Sequence, residues 1–275
     1  MTDVVSHPTR VKAVRESLRT LRATEFPWTA DTVYLNNASV GPLPERTRRL
    51  LDQFNAKRTA PHLLPDRDLF AALQAAREAV ARLLNAETGE IALAVNTSYG
   101  LNLAARSLPI EPGEIVLVSD REFPANMYPW LMLEKRGVII ETVPTTKDGL
   151  PDEARILERL RDPKVRVLAI SFVQFSNGFR ADLKKLGAAA RANGTYFVVD
   201  GIQGVGNLVR GCASASGHGA RNRGPLRDRL VHDRIRRAVS RVEGPCAGRG
   251  NRTVTRAALR RVHALCTVEV LARSA

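Results

Sequence analysis

Five short β-branched runs, at residues 91–95, 115–118, 138–143, 165–172 and 195–200, begin 24, 23, 27 and 30 residues apart. A parallel pair of strands needs a crossover of a dozen or more residues, usually a helix, and that need sets such a rhythm. Antiparallel hairpins would return after far fewer residues. The spacing therefore predicts an α/β fold, a mainly parallel sheet with flanking helices on both faces. The stretches between the runs carry helix stop signals: residues 127–136 are followed by Gly137, and residues 181–192 by Asn193 and Gly194. Ahead of the sheet, Leu69, Phe70, Leu73, Ala76, Val80, Leu83 and Leu84 recur at helical spacing, which predicts a core-facing helix.

Open α/β sheets bind ligands beyond the carboxyl ends of their strands, so the residues after each run are the candidates for chemistry. After the first come Asn96-Thr97-Ser98-Tyr99-Gly100 and a helical stretch at 101–106. Two hydroxyls and a glycine at a helix N-terminus fit an anion cradle, and they also fit a simple N-cap. The second run leads into Glu122-Phe123-Pro124-Ala125-Asn126, where Phe123 either packs on the core or offers a face to a flat ligand. The fifth ends in Asp200, with Gln203 three residues on. A carboxylate ending a buried strand is costly unless a cation or hydrogen-bond donors meet it. Asp200 is thus either the cap of the next turn or the partner of something cationic.

In order and spacing, Thr97-Ser98-Tyr99-Gly100, Glu122-Phe123-Pro124-Ala125-Asn126 and Val199-Asp200-Gly201-Ile202-Gln203 resemble the class V aminotransferase group of pyridoxal phosphate (PLP) enzymes. That group includes cysteine desulfurases and isopenicillin-N-epimerase-like proteins, and its N-terminal signature is similar to Val33-Tyr34-Leu35-Asn36-Asn37-Ala38-Ser39 here. The resemblance covers roughly residues 30–209. It implies the large domain of the fold type I PLP-dependent transferases, PLP as cofactor, small amino-acid substrates and a homodimer in intact relatives. It also implies roles. Ser98, with Thr97 beside it, would bind the cofactor phosphate, and Phe123 would stack on the pyridine ring where many members carry His. Asp200 would keep the pyridine nitrogen protonated, so that the ring can accept electrons. Gln203 would contact the phenolic oxygen, and Asn37 the substrate. A phenylalanine at 123 removes any acid/base use of an imidazole and points away from the typical desulfurase.

The resemblance further implies a lysine, some twenty-odd residues after the aspartate, that forms a Schiff base with PLP. The corresponding window, residues 220–228, contains Arg221, Arg223 and Arg227 but no lysine, and the last lysine of the chain is Lys185. A guanidinium stays protonated at working pH and is a poor nucleophile. The expectation is a chain without a catalytic lysine, lacking two further strands and the small C-terminal domain, and inactive as written.

Composition changes at the same place. Residues 210–275 hold 15 Arg, no Lys, 4 acidic residues and none of the 14 aromatics, so +11 of the formal +14 charge lies there. The expected division is a truncated large domain at 1–209 and a non-homologous Arg-rich tail at 210–275, disordered or poorly packed because it lacks aromatic side chains to bury. A reading-frame shift near 207–210 in GC-rich DNA accounts for such a composition. The competing reading is a nucleic-acid-binding arm, whose arginines would bind phosphates in a salt-dependent way. No aromatic is interleaved for base stacking and no binding module is recognisable, so nucleic acid is disfavoured as a partner. Cys212, His218, His232, Cys246, His263 and Cys266 are spaced too widely for a metal site. Residues 254–272 could form a modest amphipathic helix. No apolar run reaches membrane length, nothing at the N-terminus resembles a targeting signal, and no Cys precedes Cys212. The expected location is cytoplasmic.

Overall fold

The computed structural model describes residues 8–208 and 268–271. The chain divides into two compact units, Met1–Leu73 and Gln74–Ala275. The first contains α1 (Pro8–Glu25), α2 (Glu45–Arg58) and the start of α3 (Asp66–Leu84). Glu25, at the end of α1, accepts the Arg46 backbone N–H at 3.0 Å and pairs with its guanidinium at 2.8 Å, which ties α1 to the first turn of α2.

In the second unit, β1 (Ile115–Ser119), β2 (Ile139–Val143), β3 (Val165–Ser171) and β4 (Tyr196–Asp200) are mutually parallel and lie in the order β2-β1-β3-β4. A fifth strand, β5 (Val268–Leu271), pairs antiparallel with the outer edge of β4. Alternation along each strand sends side chains to opposite faces. Leu117, Leu168, Ile170, Phe197 and Val199 join one cluster with Ile156 of α6 (Glu153–Arg159), Leu186 of α7 (Leu183–Ala192) and Leu84 of α3. Val116, Val118, Val167, Ala169 and Val198 join the other, with Leu101 and Ala104 of α4 (Thr97–Ser107) and Trp130 of α5 (Tyr128–Leu131). Cover on both faces is why β1 and β4 read as apolar runs up to their last residue. At the exposed edge, Arg159 grips Glu141 of β2 through two hydrogen bonds of 2.6 and 2.9 Å, which pins β2 to α6.

Four of the five expected strands form. Residues 91–95 form no named strand: Ala92 makes a single β-bridge, and Ile91 and Ala92 are buried. The helix expected at 127–136 is broken into α5 and a 3₁₀ turn at Glu134–Arg136. Pro129 sits in the first turn of α5, where its missing N–H is tolerated, so the break after Leu131 is not its doing. Gly137 closes the segment with φ 79°, a left-handed conformation that suits glycine. The apolar stripe of α3 is only partly core. Ala81 and Leu84 are buried in the cluster under the sheet, whereas Leu69, Phe70, Leu73 and Leu83 are exposed. Val268–Leu271 is strand where a helix was expected, since the free edge of β4 offers unpaired N–H and C=O groups to any extended segment. The other expectations for 210–275, including the lysine window, the Cys and His set and the change of reading frame, lie outside the described residues. No helix among those described is long and apolar enough to cross a membrane.

Close backbone approach fixes one position near the sheet. A Cβ on Gly204 would lie 2.2 Å from the ring of Phe172, itself fully buried. Gly204→Ala is expected to cost about 1–3 kcal/mol, typical for overpacking a filled core. Urea unfolding should show a lower midpoint at unchanged slope.

Candidate functional site

The connection β1 to β2 moves toward one edge of the sheet, and β2 to β3 returns across β1 to its other side. Strand order thus reverses between β1 and β3, and the crevice beyond their carboxyl ends is where such sheets take ligands. Glu122, just past β1, fills the base of that crevice. It is 7% exposed and holds four donors. Its Oε1 accepts the Ser171 backbone N–H at 2.9 Å and the Gln174 Nε2 at 2.6 Å. Its Oε2 accepts the Ser171 hydroxyl and the Asn126 Nδ2, the latter at 3.1 Å. Asn126 in turn accepts the indole N–H of Trp130 at 3.4 Å, which fixes the orientation of its amide. Burial pushes the Glu122 carboxyl above its ordinary range, and the donors from Ser171, Asn126 and Gln174 pull it back.

The residues next in sequence to this anchor form an aromatic pair. Phe123 and Phe175 meet edge to face, with ring centroids 5.2 Å apart and planes at 80°, and each is 48% exposed. Phe175 rides on a short loop closed at its base by the bridge Val173↔Arg180 and by the Gln174 N–H to Phe179 carbonyl bond of 2.9 Å.

Asp200 ends β4 on the face covered by α4, the face shared by Tyr196 and Val198 two and four residues before it. It is 2% exposed, and among the described residues its carboxylate accepts one hydrogen bond, from the Ile202 N–H at 3.1 Å. It therefore caps the turn that follows, and one oxygen is left over. Burial raises its carboxyl from 3.8 to about 6, the Ile202 N–H lowers it, and the nearby Glu122 charge raises it further. Gln203 lies in the same turn, half-buried and with a partner of its own.

At the start of α4, Asn96 is the N-cap, and its side chain takes the Tyr99 N–H at 2.8 Å. Thr97 is buried and Ser98 exposed. Helix α4 packs against the 3₁₀ turn Pro124–Asn126 and against β4. The structure thus brings Thr97, Ser98, Phe123, Asp200 and Gln203 to the carboxyl end of one sheet. Asn37 belongs to the N-terminal unit, where it lines a cavity of about 320 Å³ with Phe26, Trp28 and Tyr34.

Four residues of this network, Glu122, Asn126, Ser171 and Gln174, carried no assignment from sequence. Glu122 stood inside a quoted motif and, as a carboxylate just past a buried strand, was open to the argument that singled out Asp200. Ser171 and Gln174 had no such signal, because their bonds to Glu122 span 49 and 52 residues.

Known proteins resemble this chain in sequence and fold. The family model for class-V aminotransferases matches residues 33–210. A probable cysteine desulfurase of Methanothermobacter thermautotrophicus is 32% identical over 192 residues, which cover 67% of this chain and 47% of that protein. The cysteine desulfurase CsdA of Escherichia coli is also 32% identical, over 66% of this chain and 47% of its own length. The crystal structure of that enzyme superposes with a TM-score of 0.59 and 29% identity, over 68% of this chain and 49% of the other. A C-DES variant with glycine covalently linked to its PLP cofactor shares the fold, with a TM-score of 0.62 at 20% identity over 68% of this chain and 51% of the other. The chain spans about half the length of these relatives. By the match over residues 33–210, it belongs to the class-V aminotransferase family.

Proposed function

We propose that the described α/β unit is a PLP-binding large domain of the class V type, serving chemistry on small amino acids, and that this chain supplies no lysine to bond the cofactor. The observation that carries the reading is Asp200: a buried carboxylate at the end of β4 with one hydrogen bond and a raised proton affinity. Such a group is stabilised by a cationic N–H, and a pyridinium nitrogen is one. The other residues fit the same ligand. The N-terminus of α4 offers Ser98 and helix-end amides to a phosphate, and Phe123 presents a half-exposed ring to a flat heterocycle. When bound, PLP supplies an electron sink for a carbanion at the amino-acid α-carbon. The chain's own residues hold its phosphate, cover one ring face and keep a proton on its nitrogen.

The desulfurase names of the relatives favour sulfur-bearing amino acids within this class, while Phe123 offers no titrating group for such a reaction. A cytoplasmic homodimer, inactive without the missing lysine, completes the proposal. The nucleic-acid reading gains no support, because its arginines lie outside the described residues.

Titration with PLP should show saturable binding at one site per chain. It should give no stoichiometric band near about 410–430 nm, the region of cofactor imines, that borohydride fixes to a single lysine. A fixed, single-site band would overturn the claim of inactivity, and an absence of saturable binding would overturn the cofactor reading.

Asp200 also gives a signed pH dependence. Below 3.8 the carboxyl is protonated in folded and unfolded chains alike and imposes no penalty. As pH rises from there through about 6, the unfolded chain loses its proton first, so stability falls, and the penalty is complete above about 6. Asp200→Asn should therefore stabilise the ligand-free protein at pH 8, by on the order of 2 kcal/mol, and change nothing near pH 3.5. The same variant should bind PLP at least about tenfold more weakly, through loss of the charge-assisted bond. Urea midpoints at the two pH values and a PLP titration check both signs.

A further inference from the structure

The half-exposed aromatic pair and the buried carboxylate are consecutive twice over: Phe123 follows Glu122, and Phe175 follows Gln174. Glu122 Oε1 and Gln174 Nε2 are joined at 2.6 Å, so one buried hydrogen bond ties the two backbones from which the rings project. Ser171 adds its N–H and hydroxyl from the end of β3, and Asn126 closes the turn that carries Phe123. The amide of Gln174 is oriented by this contact, since a carboxylate oxygen only accepts. The two half-exposed phenylalanines, carried past the ends of different strands, meet edge to face at 5.2 Å. An aromatic pair contributes too little alone to order two loops against solvent.

We propose that Glu122, through Gln174 and Ser171, is a positioning residue that locks the Phe123–Phe175 pair into a preformed aromatic face for a flat, anionic heterocycle at the β1/β3 crevice. The inference rests on the cofactor reading above for the identity of that heterocycle, and not for the lock itself. Glu122 touches no ligand in this scheme. It sets where the Phe123 ring stands, and Phe175 holds that ring upright by presenting an edge or a face to it. A rigid platform binds more tightly than a mobile one because less freedom is lost on binding.

The test has an arm without cofactor. In the ligand-free protein, edge protons of one ring lie over the face of the other and resonate upfield, and Phe123→Leu identifies them by abolishing the shift. Glu122→Gln places an amide donor against donors, and Gln174→Leu removes one donor only. Both should return those resonances to ordinary positions while far-UV circular dichroism stays native. If the shifts persist in a folded variant, the residues merely stabilise the fold and the lock is refuted. Should Glu122→Gln fail to fold, Gln174→Leu decides alone.

The second arm compares PLP with inorganic phosphate. Either variant should weaken PLP about tenfold, leave phosphate binding within about twofold, and add nothing to the loss caused by Phe123→Ala. Equal losses for PLP and phosphate, or additive losses with Phe123→Ala, would overturn the assignment. A wild-type chain that binds no PLP sinks the cofactor reading, and the ring shifts then decide the lock by themselves.

Discussion

A buried carboxylate without a cation beside it joins the ends of β1 and β3, and the geometry of the crevice follows from how it is satisfied. Glu122 has two oxygens and four donors, two on each. Donors in that number favour the charged form, burial favours the neutral one, and burial is the larger effect. The cost is accepted at a place where the sheet must otherwise end in open ladder groups, and it draws the loops after two neighbouring strands together. Asp200 sits one strand further along, in register with Ser171, and has a single donor among the described residues. The two acids share an end of the sheet and differ in what is left over: Glu122 has no acceptor capacity to spare, and Asp200 does.

The strand that bears Asp200 depends on pairing at both of its edges. β3 holds it in parallel register from Val167↔Tyr196 to Ser171↔Asp200, and β5 covers its other edge from Phe197↔Leu271 to Asp200↔Val268. With both ladders made, the backbone at Asp200 is fixed to within the play of a central strand, and its carboxylate has little room to turn toward solvent. The β2 edge is treated differently. There the Glu141–Arg159 pair puts charge on an outer strand, which discourages further pairing.

Much of the framework was legible because double-sided burial leaves a plain trace: β1 and β4 are apolar up to their last residue, and β3 is apolar from Val167 to Ile170. Residues 91–95 carry the same trace and form no named strand, since strand formation depends on a neighbour that local sequence does not encode. The exposed residues of α3 show the complementary failure, where helical periodicity reports a face and not what covers it. At the site, Thr97, Ser98, Phe123, Asp200 and Gln203 could be singled out because each ends or follows an apolar β-branched run. The Glu122 network could not, because Ser171 and Gln174 reach it only after the chain has crossed the sheet twice. Asn37 was grouped with them by motif order, and it belongs to a unit with its own cavity.

Phenylalanine at 123 has a consequence beyond the loss of one titrating group. His62, in the N-terminal unit, is the sole imidazole among the described residues, and none of those described at the carboxyl end of the sheet is a histidine. The acids with raised proton affinity there are Glu122 and Asp200, and Glu122 is enclosed by its four donors. Among the described residues at this end of the sheet, Asp200 is the group whose carboxyl is raised to about 6. A ligand that brings a cationic N–H to Asp200 stabilises the carboxylate and lowers that value, so ligand uptake and proton release are linked at this one residue. The aromatic face at Phe123 and Phe175 takes no part in that exchange, and the crevice separates shape, set by the Glu122 anchor, from charge, set by Asp200.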